Sequence, residues 1–138
     1  NGSANLSPNT TLAATYTYTK GTYQNGLVEM PLDHIPPSYG RVGLKHDVKK
    51  FSAELFTVFN GWKRIEDYNL NGEDNEIYAT KDGMPGWQIW NINTSYQANK
   101  KISLSFQIEN LADLNYRYFA SRISALGRNY VLQAKFSF

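Results

Sequence analysis

The chain has 138 residues, enough for one domain, and its 14 Lys and Arg residues nearly balance its 12 Asp and Glu residues. No basic cluster follows one face of the chain, which excludes a nucleic-acid groove, and the lack of cysteine excludes disulfide frameworks and thiolate zinc sites. Ten Tyr, seven Phe and three Trp are the compositional excess. They fall in segments with a two-residue period, which indicates an all-β protein.

Six segments alternate between apolar and polar side chains and are predicted to be strands. In chain order they are residues 11–20, 39–48, 51–62, 87–97, 101–110 and 129–138. In the fifth segment, apolar Leu104 and Phe106 alternate with polar Ser105 and Gln107, so we expect the first two to point outward and the other two inward.

The connections between these strands alternate in length. Only a few residues around Lys49 and around Asn99 separate the second strand from the third and the fourth from the fifth, which predicts hairpin turns. The other connections, residues 20–38, 63–86 and 111–127, are long. An antiparallel meander with short turns at one end and long loops at the other is typical of a transmembrane β-barrel of the bacterial outer membrane. In such a barrel the long loops lie outside the cell and the turns face the periplasm.

The alternative is a soluble β-sheet binding module, for example for carbohydrate, that uses the aromatic side chains of Trp62, Trp87 and Trp90. Alternation alone fits both structures. The polar faces favour the barrel because they carry mainly Ser, Asn, Thr and Gln, whereas soluble sheets usually shield their wet faces and edges with charge.

Two features of the sequence could bind a ligand or a metal ion, but neither contains enough coordinating side chains to predict a site. The stretch DYNLNGEDNE, residues 67–76, begins like a calcium loop, but Tyr78 stands where that loop needs its last carboxylate, so we predict a surface turn. His34 lies in a long loop, and a histidine without a partner is usually a polar loop residue. No nucleophile motif is present. We therefore predict a non-enzyme without catalytic residues, metal or cofactor.

Residues 108–138, IENLADLNYRYFASRISALGRNYVLQAKFSF, resemble the C-terminal end of TonB-dependent outer-membrane receptors. That family shares an Asn-Leu followed by Asp and Tyr, then a Gly-Arg before a last strand that ends on Phe. The corresponding residues here are Asn110, Leu111, Asp113, Tyr116, Gly127, Arg128 and Phe138. Upstream, HIPPSYGRVGL resembles the Pro-containing start of a barrel strand in that family, and residues 84–111 resemble its penultimate hairpin.

The resemblance implies a barrel of about 22 strands with an N-terminal plug, which imports an iron-siderophore, haem, cobalamin or a glycan. It implies that residues 1–138 are the C-terminal segment of this barrel, without the plug and the earlier strands. The implied location is the outer membrane of a Gram-negative bacterium. The implied partners are the rest of the receptor, TonB through the absent N-terminal part, the outer-membrane assembly machinery and outer-membrane lipid.

The last predicted strand alternates along its whole length, and its apolar face is predicted to meet lipid. The residues on that face are Tyr130, Leu132, Ala134, Phe136 and Phe138. By resemblance, this pattern ending on Phe is also the signal that the assembly machinery recognises. Where the strand begins, Gly127 permits a positive φ, and Arg128 either pairs with an acid such as Glu109 or Asp113 or stays solvated in a strand-entry turn.

Overall fold

Seven strands form one antiparallel sheet in the computed structural model, which describes residues 1–70 and 72–137. Four shorter strands form two separate pairs, β3–β4 and β7–β8. In chain order, all strands of the described residues are β1 (Gly2–Ser7), β2 (Thr10–Thr17), β3 (Thr22–Asn25), β4 (Val28–Pro31), β5 (Tyr39–Val48), β6 (Phe51–Asn60), β7 (Lys63–Arg64), β8 (Gly83–Met84), β9 (Trp87–Gln97), β10 (Ile102–Glu109) and β11 (Asn129–Phe136). The order in the large sheet is β1-β2-β5-β6-β9-β10-β11. The predicted meander is confirmed, and all six predicted strands are present.

β1 is a seventh strand that the sequence did not indicate. Its residues, GSANLS, show no apolar alternation, and all of them are exposed. It forms because a two-residue turn folds it back onto β2, where Ala4 lies opposite Leu12. Backbone pairing with a well-patterned neighbour therefore places this strand, and its own side chains contribute little.

The register of the large sheet collects the apolar side chains on one face. One row of directly opposed residues crosses six strands: Leu12, Leu44, Leu55, Ile92, Ile108 and Tyr130. Successive side chains of a strand point to opposite faces, so Lys45, Glu54 and Gln107 share the other face. The apolar face stays open to its surroundings, since Leu44 and Leu55 are 43% and 44% exposed. An exposed apolar face of this extent marks an interaction surface.

Polar side chains on the apolar face find partners within the chain. Thr57 is buried and donates its hydroxyl to the carbonyl of Ile89 at 2.9 Å. His46 lies near the short-turn end of β5, and its Nδ1 is 2.8 Å from the hydroxyl of Thr10 on the neighbouring strand. These contacts lower the cost of placing polar groups among apolar ones.

On the polar face, the side chains of Arg41 and Glu54 form an ion pair beside the backbone of Gly43. The guanidinium of Arg41 lies 2.6 Å from a carboxylate oxygen of Glu54 and 4.0 Å from the ring centroid of Phe56. A Cβ at Gly43 would stand 2.8 Å from Glu54 and 3.0 Å from Arg41, so a larger residue at that position would separate the pair. Phe56, which interrupts the polar alternation of β6, therefore serves as a stacking surface for a cation.

The connections alternate in length as predicted. The turns after β1, β5 and β9 lie at one end of the sheet, and the three long loops lie at the other. The first long loop (residues 18–38) contains the β3–β4 hairpin, the second (61–86) contains the β7–β8 pair and two 3-10 turns, and the third is residues 110–128. Among the described residues, β1 and β11 each pair with one neighbour, so the sheet has two open edges.

The most buried apolar side chains lie beneath the long loops. They are Tyr68, Met84, Trp87 and Ile89, and none of them comes from the short-turn end of the sheet. The packed core of the chain is thus the junction between the loops and the adjoining half of the polar face. No helix within the described part of the chain is long and apolar enough to span a membrane.

Candidate functional site

A buried ion pair holds the first and second long loops together. Lys63 at the start of β7 is 3% exposed, and Asp74 is completely buried. The amine of Lys63 lies 3.7 Å from the Asp74 carboxylate and donates to the carbonyl of Ile35 at 2.7 Å. The same carboxylate accepts the backbone N–H groups of His34 at 2.6 Å and of Asn69 at 3.2 Å. Both charges therefore have polar partners, as burial requires.

A second carboxylate reinforces this junction at the surface. Asp33 accepts the side-chain amide of Asn69 at 3.2 Å and the backbone N–H of Glu73 at 2.9 Å. The exposed side chains of His34 and Glu73 approach to 3.6 Å beside it. The stretch 67–76 is therefore a turn as predicted, but the prediction that it lies wholly on the surface is wrong, because Asn69 and Asp74 are buried.

The third long loop joins the cluster through aromatic rings. The amine of Lys63 lies 5.2 Å from the ring centroid of Tyr68 and 5.1 Å from that of Phe119. The two rings meet edge to face at 5.8 Å. Burial, and next the charge of Asp74, raise the pKa of Tyr68 to about 12, so this hydroxyl stays neutral. One lysine thus contacts residues of all three long loops.

A second aromatic group fastens the third loop to the sheet. The Trp87 indole stands 4.3 Å from the Tyr116 ring and 4.9 Å from the Tyr118 ring, and its N–H donates to the carbonyl of Arg117 at 2.9 Å. Burial is the main reason that the pKa of Tyr116 rises to about 12. Tyr116, one of the residues that carry the family resemblance, is therefore a packing residue of this loop.

An open cleft of about 600 Å³ lies between the second and third loops. Its walls are mainly aromatic and apolar, with one guanidinium, and include Ile77, Tyr78, Met84, Trp87, Tyr116 and Arg117. Arg117 donates to the carbonyl of Tyr78 at 2.9 Å, while the guanidinium of Arg122 lies 4.7 Å from the Tyr78 ring centroid. Such a surface can contact an organic ligand through rings and cations. The described residues contain no group of three or more His, Asp or Glu side chains placed to hold a metal ion.

Asn110 organises the start of the third loop. It is 1% exposed and has a left-handed φ of 52°. Its backbone N–H donates to the side chain of Asn91 at 2.9 Å, and its own amide group exchanges hydrogen bonds with the backbone of Leu114 at 2.8 and 3.0 Å. Leu111 continues the connection through its N–H to the carbonyl of Trp90 at 2.8 Å. An asparagine suits this position because it tolerates a positive φ and bonds the local backbone.

Gly127 does not adopt the positive φ that a glycine permits at this point. The described residues with a positive φ include Asp113, at 54°, but not Gly127. The carboxylate of Asp113 accepts the backbone N–H of Arg128 at 2.7 Å, and a Cβ at Gly127 would stand 2.6 Å from that carboxylate. The glycine therefore allows close approach. Arg128 meets Asp113 only through its backbone, and its guanidinium donates to the carbonyl of Leu111 at 3.0 Å.

Replacing Gly127 by Ala should loosen the start of β11. The added methyl group displaces the Asp113 carboxylate, and we expect a loss of about 1 kcal/mol in local stability, since the Arg128 N–H then loses its acceptor. Hydrogen exchange at the Arg128 amide measures this loss. Leu126→Ala is the control, because it changes a neighbouring side chain that is 76% exposed and leaves Gly127, Asp113 and Arg128 intact. Unchanged protection in the Gly127 variant would contradict this account.

The predicted assembly signal lies on the open edge of the sheet. Tyr130, Leu132, Ala134 and Phe136 share the apolar face of β11 and are exposed, Leu132 to 79%. Phe106 supports the strand by stacking on Tyr130 at 6.5 Å. Phe138 lies outside the described residues. The pattern is thus displayed at an unpaired edge, and its recognition stays a prediction.

The structure does not bring the three tryptophans together. Trp87 is buried on the polar side of β9, and Trp90 lies on the opposite, apolar face. Trp62 sits in the second loop, where its indole donates to the carbonyl of Asp82 and stacks 4.1 Å from the Arg64 guanidinium. The shared aromatic site of the soluble alternative does not form.

Comparisons with known proteins agree with the predicted family and fold. A family model described as TonB dependent receptor-like, beta-barrel matches residues 1–111. The chain belongs to the TonB-dependent receptor β-barrel family. The match contains the two upstream stretches, residues 34–44 and 84–111, and ends at Leu111, so the motif residues from Asp113 to Phe138 lie beyond it. Members of this family are transport receptors of the Gram-negative outer membrane, and that is where we place the chain.

Two solved structures resemble the chain. The copper transporter OprC matches with a TM-score of 0.80 and 23% sequence identity, over 99% of this chain and 22% of its own. The ferric-catecholate import receptor Fiu from E. coli K12 matches with a TM-score of 0.69 and 18% identity, over 99% of this chain and 20% of its own. At these identities the likeness establishes the fold, and the chain spans about a fifth of either structure. Comparison with curated protein sequences yields no significant match.

Proposed function

We propose that residues 1–138 form the C-terminal segment of the barrel of an outer-membrane receptor that imports a scarce nutrient such as an iron-siderophore, haem, cobalamin or a glycan. The remaining strands and the plug of the same receptor complete the barrel, and TonB acts through the N-terminal part. In this role the chain is a transport component and has no catalytic centre.

The observation that carries the proposal is the division of the sheet into one exposed apolar face and one polar face, with all three long loops tied together at the same end. The apolar row that crosses six strands suits contact with lipid, and the polar face suits a wet lumen. The open edges at β1 and β11 suit pairing with further strands, since unpaired backbone is not tolerated in hydrocarbon.

The loop cluster is proposed as the part that meets the nutrient outside the cell. Its interior is fixed by the Lys63–Asp74 pair and the Trp87 group, which leaves the cleft between the second and third loops as a preformed surface. The exposed apolar face of β11, together with Phe138 beyond the described residues, is proposed as the signal for the assembly machinery, because β11 is an alternating apolar strand at an unpaired edge.

Cysteine labelling of the complete receptor in intact cells tests the orientation. We expect Glu73→Cys in the second loop to react with a membrane-impermeant maleimide and Lys100→Cys in the turn after β9 to react only after the outer membrane is opened. Both side chains are exposed. The nearby Asn75 and Asn99 are less suitable for substitution, because Asn75 has a left-handed backbone and the Asn99 side chain accepts two backbone N–H groups of the turn. Equal labelling of both cysteines in intact cells would reject the proposed topology.

A further inference from the structure

The charges of the chain are separated along the strands. The short-turn end carries five lysines: Lys49, Lys50, Lys100, Lys101 and Lys135. Within the described residues, that end contains one acidic side chain, Asp47, which pairs at 3.1 Å with Lys45, farther from the turn on β5. The long-loop end carries ten of the twelve acidic residues, so the two ends differ in sign although the whole chain is almost neutral. We call the four lysines of the turns, Lys49, Lys50, Lys100 and Lys101, the lysine rim; Lys135 lies on the polar face of β11 and is not part of it.

The lysine rim is exposed and lacks acidic partners. All four side chains are open to solvent, and no Asp or Glu side chain of the described residues lies within ion-pair distance of them. Among the described residues, the rim amines make one hydrogen bond to the chain, from Lys50 to the carbonyl of Ala98 at 2.9 Å, which joins the turns after β5 and β9. An array of unpaired cations is a binding surface for anions.

An exposed apolar band adjoins the rim. Phe51 lies between Val48 and Tyr96 in directly opposed positions, and Phe136 follows on β11, all on the apolar face. These side chains are 41–61% exposed. The rim lysines begin within a few residues of this band, so one molecule with an apolar tail and an anionic head can contact both.

We propose that the lysine rim binds the phosphate groups of anionic phospholipids in the leaflet that the short turns meet. The flexible ammonium groups act as point charges toward phosphate and need no fixed geometry, which suits a lipid headgroup. The acyl chains then lie against Phe51, Tyr96 and Phe136. This inference rests on the proposed membrane barrel, and it adds a lipid preference that the barrel itself does not require.

The test compares two variants of the complete receptor with equal changes in net charge. The rim variant carries Lys49→Gln, Lys100→Gln and Lys101→Gln, and the control carries Lys20→Gln, Arg64→Gln and Lys81→Gln at exposed positions of the long-loop end. Native mass spectrometry of the purified receptor in neutral-detergent micelles, titrated with phosphatidylglycerol or phosphatidylcholine, gives the apparent affinity for each lipid. We expect the rim variant to lose about tenfold in affinity for phosphatidylglycerol and the control less than twofold, with phosphatidylcholine unaffected.

Equal losses in the two variants, or no loss in either, would overturn the inference. Heat-modifiable electrophoretic mobility shows whether each variant is folded, and the single variants Lys49→Gln and Lys100→Gln replace the triple variant if it fails to fold. A folded receptor that reaches the outer membrane and binds its nutrient, yet shows no preference for phosphatidylglycerol, would overturn the lipid inference alone. A receptor that never inserts into the membrane would overturn the proposed function instead.

Discussion

Arginine in place of Leu104 is expected to lower the yield of folded receptor far more than arginine in place of Ser105. Leu104 is 43% exposed on the apolar face, between Tyr96 on β9 and Ala134 on β11. A cation on a lipid-facing position costs about 2–4 kcal/mol near the bilayer midplane and less toward the interface. Ser105 lies between Ser95 and Gln133 on the polar face, where water and neighbouring amides can solvate the charge.

The measurement is the folded fraction of each variant after refolding into lipid vesicles, followed by urea unfolding in the same vesicles. The two positions are adjacent in one strand, so they share backbone pairing and differ only in the face that they occupy. Leu104→Ser serves as a size control, because it removes the apolar side chain without adding a charge. If both arginine variants refold equally well, the apolar face does not lie against hydrocarbon.

Removing the carboxylate of Asp74 is expected to release the second long loop from the first. Asp74→Ala leaves the amine of Lys63 buried without its counter-charge and leaves the N–H groups of His34 and Asn69 without their acceptor. Breaking one side of a buried ion pair typically costs about 3–5 kcal/mol. We expect this loss to appear as local opening of the loops, because the strand pairing of the large sheet does not involve Asp74.

Hydrogen exchange and limited proteolysis of the complete receptor measure this opening. We expect faster exchange and new cleavage in residues 61–86 and 18–38, with the exchange of β6 and β9 unchanged. Asp82→Ala is the control, since it removes an exposed carboxylate from the same loop. The double variant Lys63→Met and Asp74→Ala should recover part of the loss, because it no longer buries an unpaired amine. Wild-type protection in Asp74→Ala would show that the ion pair does not hold the loops.

The fold follows from the sequence where the signal is local. Alternation in segments such as residues 102–109 specifies both the strand and the face of each side chain, and short turns fix the antiparallel order. The sequence does not predict β1, because its residues carry no alternation and its place depends on pairing with β2. The sequence places Gly127 correctly before the last strand. It does not show why a glycine is needed there, because the close approach comes from the Asp113 carboxylate of the same loop.

The sequence by itself thus determined the class of protein, six strands of the large sheet, its two faces and the ends at which loops and turns lie. Only the tertiary structure decided which loop residues form the candidate site. Asp74 bonds the backbone of His34 forty positions away, and Lys63 reaches rings that the second and third loops supply. Such contacts arise because antiparallel strands return all long loops to one end of the sheet. Nothing in the local pattern of a polar loop marks which of its charged side chains will be buried there.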